Sequence, residues 1–169
     1  MKKRSSLPLM SRLPDRLVHA VATLGGLGNV GPAPGTLGSV AGTLFYALIL
    51  QNASSQFNFF AVLALFGLGL FFCDEAELRI GRPDPGSVIF DEFAAMPIVF
   101  LGLETSSNMY WRVILLLLGF AAFRVLDILK PLGISRIQDL PGGLGIMADD
   151  VAAALVACAF MHLVSTLAG

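Results

Sequence analysis

Long apolar runs with brief polar punctuation set the plan of this chain. From Leu17 to Cys73 there is no Asp, Glu, Lys or Arg. The run opens with LVHAVATLGGLGNVGPAPGTLGS, whose Gly and Pro residues forbid one long regular helix. The pattern predicts a short interfacial helix over about 16–24, then a loop. A first apolar helix follows, capped by Thr36 or Ser39 and running through VAGTLFYALIL to about Gln51. After a QNASSQ turn, FNFFAVLALFGLGLFF forms the second, ended by the polar segment CDEAELRIGRPDPGS. The third begins near Val88, carries Asp91 and Glu92 at its start and continues through FAAMPIVFLGL, with a kink expected at Pro97. The fourth runs from Tyr110 to about Ile128 and the fifth from Asp149 to Leu167. The expected fold is all-α: a compact membrane-embedded helical bundle of about five apolar helices plus a short N-terminal interfacial helix. It forms one domain over 1–169, with a basic arm at 1–15.

Composition turns these helices toward lipid. Of the 169 residues 56% are hydrophobic and 14% charged, where soluble domains carry roughly a quarter charged residues. A bilayer-spanning helix needs about 20 apolar residues. The second, fourth and fifth segments approach that length, whereas the first and third are short and read as tilted, extended by their flanks or partly embedded. The net charge of −1 says nothing about nucleic acid; with no basic stripe and interleaved aromatics in the sequence, no nucleic-acid partner is expected. Cys73 and Cys158 lie inside apolar runs and read as buried small side chains. The opening MKKRSSLPLMSRLPDRL has no signal-peptide core. It is either a basic arm against anionic lipid at the cytoplasmic face or a disordered tail.

Sidedness is the more informative pattern. With the basic arm inside and five crossings, the loops at 51–56 and 102–109 fall outside and contain no Lys or Arg. The loops at 74–90 and 124–148 fall inside and hold Arg79, Arg82, Arg124, Lys130 and Arg136. Arg112, near the outer end of the fourth helix, is the one misfit. The same topology brings PGTLGS, Asp91-Glu92, Arg124-x-x-Asp127-x-x-Lys130 and Asp149-Asp150 to a single membrane surface.

Charges at the mouth of an apolar bundle are costly to desolvate and mark a site. Acids at helix starts gain from the helix dipole, yet that gain does not explain two adjacent pairs. A shared hard cation does, because Mg²⁺ prefers carboxylate oxygens and tolerates a site completed by phosphate. Arg124, Asp127 and Lys130, at successive i+3 spacings, share one face at the end of the fourth helix. Read blandly they are a solvated helix end; read functionally, Arg and Lys grip phosphate while Asp127 orients Arg124 or reaches the cation. PGTLGS is a Gly-rich turn entering a helix, suited to anions or to close packing. His19 and His162 lie away from the charges, which argues against histidine-based phosphatase chemistry.

Taken together, PAPGTLGS, DPGSVIFDEFAAM, FRVLDILKP and GGLGIMADD resemble the phosphatidylglycerophosphatase A family over about 31–154. The resemblance implies an Mg²⁺-dependent phosphatase of the bacterial inner membrane, its active site on the cytoplasmic face. Its substrate would be the phospholipid phosphatidylglycerophosphate, hydrolysed to phosphatidylglycerol and inorganic phosphate. By position, Asp91, Glu92, Arg124, Asp127, Lys130, Asp149 and Asp150 would be catalytic, with Asp91, Glu92, Asp149 and Asp150 as metal ligands. Thr36, Ser39, Asp84, Asp139, Arg124 and Lys130 would bind substrate. Ala95, Gly133 and Ala154 depart from the family pattern at backbone and packing positions, and none removes a charge. A lipid phosphatase for another headgroup and a non-enzymatic protein such as a small cation carrier remain the alternatives.

Overall fold

The computed structural model describes residues 13–104, 108–131, 133–134, 137 and 140–168. Among them there are six α-helices and no strand: α1 (Asp15–Ala22), α2 (Pro34–Phe45), α3 (Ser55–Ile80), α4 (Phe90–Val99), α5 (Met109–Leu129) and α6 (Gly143–Ala168). A 3₁₀ turn (Leu27–Asn29) follows α1, and one π turn (Tyr46–Leu50) prolongs α2.

The ten-residue α4 is the axle of the bundle. Eight of its residues are buried, Asp91 among them. Its apolar positions meet Tyr46, Phe123, Ala153, Ala157 and Met161 in one core cluster, and Val18, Cys73, Ala76 and Met147 in the other. The short third segment is therefore central to the bundle, and Pro97 lies two residues before its end. Small residues let α2 lie against it. A Cβ at Gly38 would come within 2.7 Å of the Ile89 carbonyl, and one at Gly42 within 2.8 Å of Met96 Cβ. This is the small-residue contact by which helices approach closely.

Three helix boundaries differ from expectation. Neither Thr36 nor Ser39 caps α2, which starts earlier with Pro34 at its first turn and no side-chain cap. The segment CDEAELRI does not end α3: it continues the helix to Ile80, where Gly81 at φ 73° closes it. Glu75 and Arg79 pair at i,i+4 along that extension. Finally, α6 starts at Gly143, six residues before Asp149. The first-turn N–H of Gly143 donates to Asp74 Oδ1 at 2.9 Å, which supports a start that local sequence does not announce.

Two helices, Ser55–Ile80 and Gly143–Leu167, are long and apolar enough to cross a membrane. Only 17% of the apolar window in α3 is buried within the protein, so it is not an ordinary core helix. Phe57, Phe59, Phe60, Leu63 and Leu68 on α3, Leu117 on α5 and Leu155 and Leu163 on α6 are all exposed.

Candidate active site

One end of the bundle gathers five separate pieces of chain. The first turn of α2, the 84–88 loop, the start of α4, the end of α5 and the early turns of α6 enclose a cleft of about 250 Å³. Its walls include Gly35, Asp84, Asp91, Glu92, Arg124, Asp127, Lys130, Asp149 and Asp150. Seven of these residues are the expected catalytic set.

Backbone bracing fixes the acids of α4. Ile89, two residues before Asp91, donates its N–H to the Ala22 carbonyl at 3.0 Å. Gly28 passes so close to the Ser87 carbonyl that a Cβ there would collide with it. Thr23, fully buried, shapes this support by donating to the His19 carbonyl at 2.7 Å and accepting from the Gly26 N–H at 3.0 Å. The N-terminal helix thus sets where α4 begins.

Asp91, Glu92 and Asp150 each offer an oxygen within 4.8 Å of the other two. Asp91 and Asp150 are buried, 5% and 4% exposed. Burial, then the charges of Glu92 and Asp150, hold the Asp91 carboxyl well above the ordinary carboxylate range. Burial also raises Glu92, against the lowering influence of its hydrogen bond with Asp91 and the Arg124 charge. Among the described residues, Asp91 Oδ1, Glu92 Oε2, Asp149 Oδ1 and Asp150 Oδ2 are buried without a hydrogen-bond partner. Orphaned buried acceptors are rare and call for an explanation such as a bound ion. A divalent cation fits this donor set, all hard oxygen and partly desolvated.

The cations stand opposite. Arg124 Nη1 donates to Asp127 Oδ2 at 2.7 Å and to Ser39 Oγ at 3.4 Å, and lies 4.0 Å from Glu92 Oε1. Lys130 Nζ donates to Asp149 Oδ2 at 2.5 Å. Burial alone would lower the Lys130 ammonium; the hydrogen bond and charge of Asp149, with Asp127 and Asp150, outweigh it and the net shift is upward. Lys130 holds its place with a left-handed backbone, φ 43° and ψ 52°, at the C-cap of α5.

The remaining expected residues divide. Asp84 lines the cleft, exposed and also left-handed at φ 43°. Ser39 is fully buried behind the cleft, its hydroxyl donating to the Gly35 carbonyl at 3.0 Å while accepting from Arg124. Thr36 is half-buried on α2, outside the lining. Both lie inside the helix and not in a turn before it. Asp139 falls outside the described residues. Asp149 and Asp150 stand nearly two turns into α6, not at its start. Asp149 is paired with Lys130 and stands outside the group that Asp91, Glu92 and Asp150 form. Asp74 was missed by the sequence reading, because its role in holding Gly143 spans 69 positions and leaves no local pattern. Ala95 and Ala154 are fully buried packing positions in the core.

The fold and this cleft define a class: hydrophobic all-α proteins whose histidine-free pocket sets clustered carboxylates against an arginine and a lysine. Within that class the relatives are specific. The family model described as Phosphatidylglycerophosphatase A matches residues 20–165. The chain belongs to the phosphatidylglycerophosphatase A family. It is 38% identical over 141 residues to the phosphatidylglycerophosphatase A of Haemophilus influenzae, covering 83% of each chain. It is 30% identical over 147 residues to that of Escherichia coli, covering 86% of this chain and 82% of the relative. A Bacteroides thetaiotaomicron relative, 31% identical with 90% of both chains covered, bears the provisional name phosphatidylinositol-3-phosphatase. No solved structure matches the chain.

Proposed function

We propose that the protein is a membrane-embedded, Mg²⁺-dependent phosphatase that converts phosphatidylglycerophosphate to phosphatidylglycerol and inorganic phosphate. The observation that carries this reading is the meeting of three carboxylates within 4.8 Å in a cleft that also presents Arg124 and Lys130. Two relatives named phosphatidylglycerophosphatase A, sharing most of their length with this chain, supply the substrate.

Asp91, Glu92 and Asp150 would hold Mg²⁺, with Asp149 Oδ1 available beside them. When bound, the ion supplies Lewis-acid polarisation of a phosphoryl oxygen and a more acidic water. Arg124, steadied by Asp127 and Ser39, grips the phosphate oxygens, and Lys130 adds a point charge. Together they offset charge on the transferring phosphoryl group. Water adds to phosphorus as the P–O bond to the headgroup breaks, and the released glycerol oxygen takes up a proton.

We place α3 and α6 across the bacterial inner membrane, with the cleft at the cytoplasmic surface; most of the expected basic arm lies outside the described residues. In this arrangement the Lys- and Arg-bearing loops lie inside. Gathered in a cleft at one end of the bundle, the acids are poorly suited to a cation carrier, which would hold them mid-membrane on facing helices.

Purified protein should release phosphate from phosphatidylglycerophosphate in Mg²⁺-containing micelles, well above its rate on phosphatidic acid or phosphatidylinositol 3-phosphate. Exclusive hydrolysis of one of the latter overturns the substrate. Folded, Mg²⁺-loaded protein that cleaves none of them overturns the enzyme reading.

A further inference from the structure

Among the described residues lining the cleft, none comes from α3. Yet the last turns of α3 hold both elements that carry the clustered acids. Asp74 Oδ1 accepts the Gly143 N–H at 2.9 Å. Gly143 lies so close to α3 that a Cβ there would collide with the Leu70 carbonyl. These contacts pin the first turn of α6, about two turns before Asp150. The next residue, Glu75, is 1% exposed, and its Oε2 accepts from Arg79 Nε and Nη2, both at 3.1 Å. Arg79 Nη1 donates in turn to the Leu13 carbonyl at 3.1 Å and to Asp15 Oδ1 at 2.6 Å. One guanidinium thus ties the start of α1 to the end of α3.

We infer that Asp74 and Arg79 are positioning residues that set the separation of Asp91 and Glu92 from Asp150, and with it the affinity for the divalent cation. This rests on the Mg²⁺ reading above. One arm runs from Asp74 through Gly143 and along α6 to Asp150. The other runs from Arg79 through α1, whose Ala22 carbonyl accepts the Ile89 N–H two residues before Asp91. Between those ends α1 is a single eight-residue helix, with Val18 and Ala22 buried in the cluster that holds Cys73, Ala76, Val88 and Phe90. A displacement at its start therefore reaches the start of α4. Neighbouring carboxylates repel, so the oxygens stay within 4.8 Å of one another only while both backbones are held. Mg²⁺ demands near-ideal octahedral geometry at about 2.0–2.1 Å, which makes the site sensitive to small shifts of either arm. The Asp15 side chain is 92% exposed, so solvent screens that contact; the Leu13 carbonyl and buried Glu75 are the firm links. A planar guanidinium reaches these partners at once, whereas a lysine ammonium is a single point of charge.

The test titrates Mg²⁺ calorimetrically into chelator-stripped protein in micelles, without substrate, below the unfolding temperature of each variant. Wild type is compared with Arg79→Met, Arg79→Lys, Asp74→Ala and Ser54→Ala. Ser54→Ala is the control: it loses the cap at the opposite end of α3, where Ser54 Oγ accepts the Phe57 N–H. Arg79→Met and Asp74→Ala should each raise the Kd for Mg²⁺ by at least about 10-fold, as losses outside the ligand shell do. Arg79→Lys should fall between, and Ser54→Ala should bind like wild type despite a lower unfolding temperature. Should Arg79→Met fail to fold, Asp74→Ala and Arg79→Lys decide the matter by the same criterion. Wild-type affinity in the folded Arg79 and Asp74 variants overturns the inference and leaves the Mg²⁺ reading intact. An equal loss in Ser54→Ala also overturns it, because it marks general instability. Wild type that binds no Mg²⁺ overturns the two readings together.

Discussion

Replacing Lys130 by Met should destabilise the protein more than its place at a helix end suggests. Its Nζ is 2.5 Å from Asp149 Oδ2, and the Asp149 side chain is only 5% exposed. The other Asp149 oxygen already has no partner among the described residues. Removing the ammonium strands a buried carboxylate. Breaking a buried ion pair from one side costs about 3–5 kcal/mol. The Lys130 side chain is 23% exposed, so solvent screening brings the expectation to about 2–3 kcal/mol. For a chain of this size that is a fall of about 5–10 °C in unfolding temperature. Asp149→Asn removes the charge and should cost about 1 kcal/mol, with the double variant showing coupling of at least about 1 kcal/mol. Lys130→Gly should recover about 1 kcal/mol over Lys130→Met by relieving the left-handed backbone, with no recovery of activity. Thermal unfolding in detergent micelles with chelator measures all four. Strict additivity, or Lys130→Met unfolding within a degree of wild type, refutes the pairing.

Other expectations follow from the same geometry. Gly42→Ala forces a Cβ to within 2.8 Å of Met96 and should cost about 1–3 kcal/mol; Gly67→Ala, with open space around it, should be neutral or stabilising by about 1 kcal/mol, both read by thermal unfolding. Asp127→Asn removes the charge from the 2.7 Å partner of Arg124 and should lower kcat/KM by up to about 100-fold, with the unfolding temperature little changed. In chelator, stability should rise on mild acidification. The Asp91 and Glu92 carboxyls are raised in the fold, beside Asp150, Asp127 and Arg124, so the native state binds more protons than the unfolded one above the unfolded pKa values, and stability is lost as pH climbs through the folded ones. Unfolding temperatures measured from about pH 8 down to about pH 5 check that sign, and a steady fall contradicts it.

Much of this was legible in the sequence because it was written locally. Apolar runs announced the helices, and the i+3 spacing of Arg124 and Asp127 foretold their pair. What was hidden depends on distant partners. CDEAELRI looked like a polar terminator, yet nothing in it breaks a helix before Gly81. The start of α6 depends on Asp74, and the position of Asp91 on Ala22 and Gly28. The four acids looked equivalent along the chain. Only the fold separates Asp149, engaged by Lys130, from the trio of Asp91, Glu92 and Asp150. The burial of α4 was equally invisible, since a ten-residue apolar segment reads the same at an edge or at the centre.

The most direct test of the account is the Mg²⁺ dependence of phosphate release from phosphatidylglycerophosphate by wild type and Asp150→Asn. Wild-type activity should vanish in EDTA and return with Mg²⁺, while folded Asp150→Asn should need at least about 10-fold more Mg²⁺ or stay inactive. Full wild-type activity in chelator, or an unchanged Mg²⁺ requirement in Asp150→Asn, would contradict a cation held by Asp91, Glu92 and Asp150.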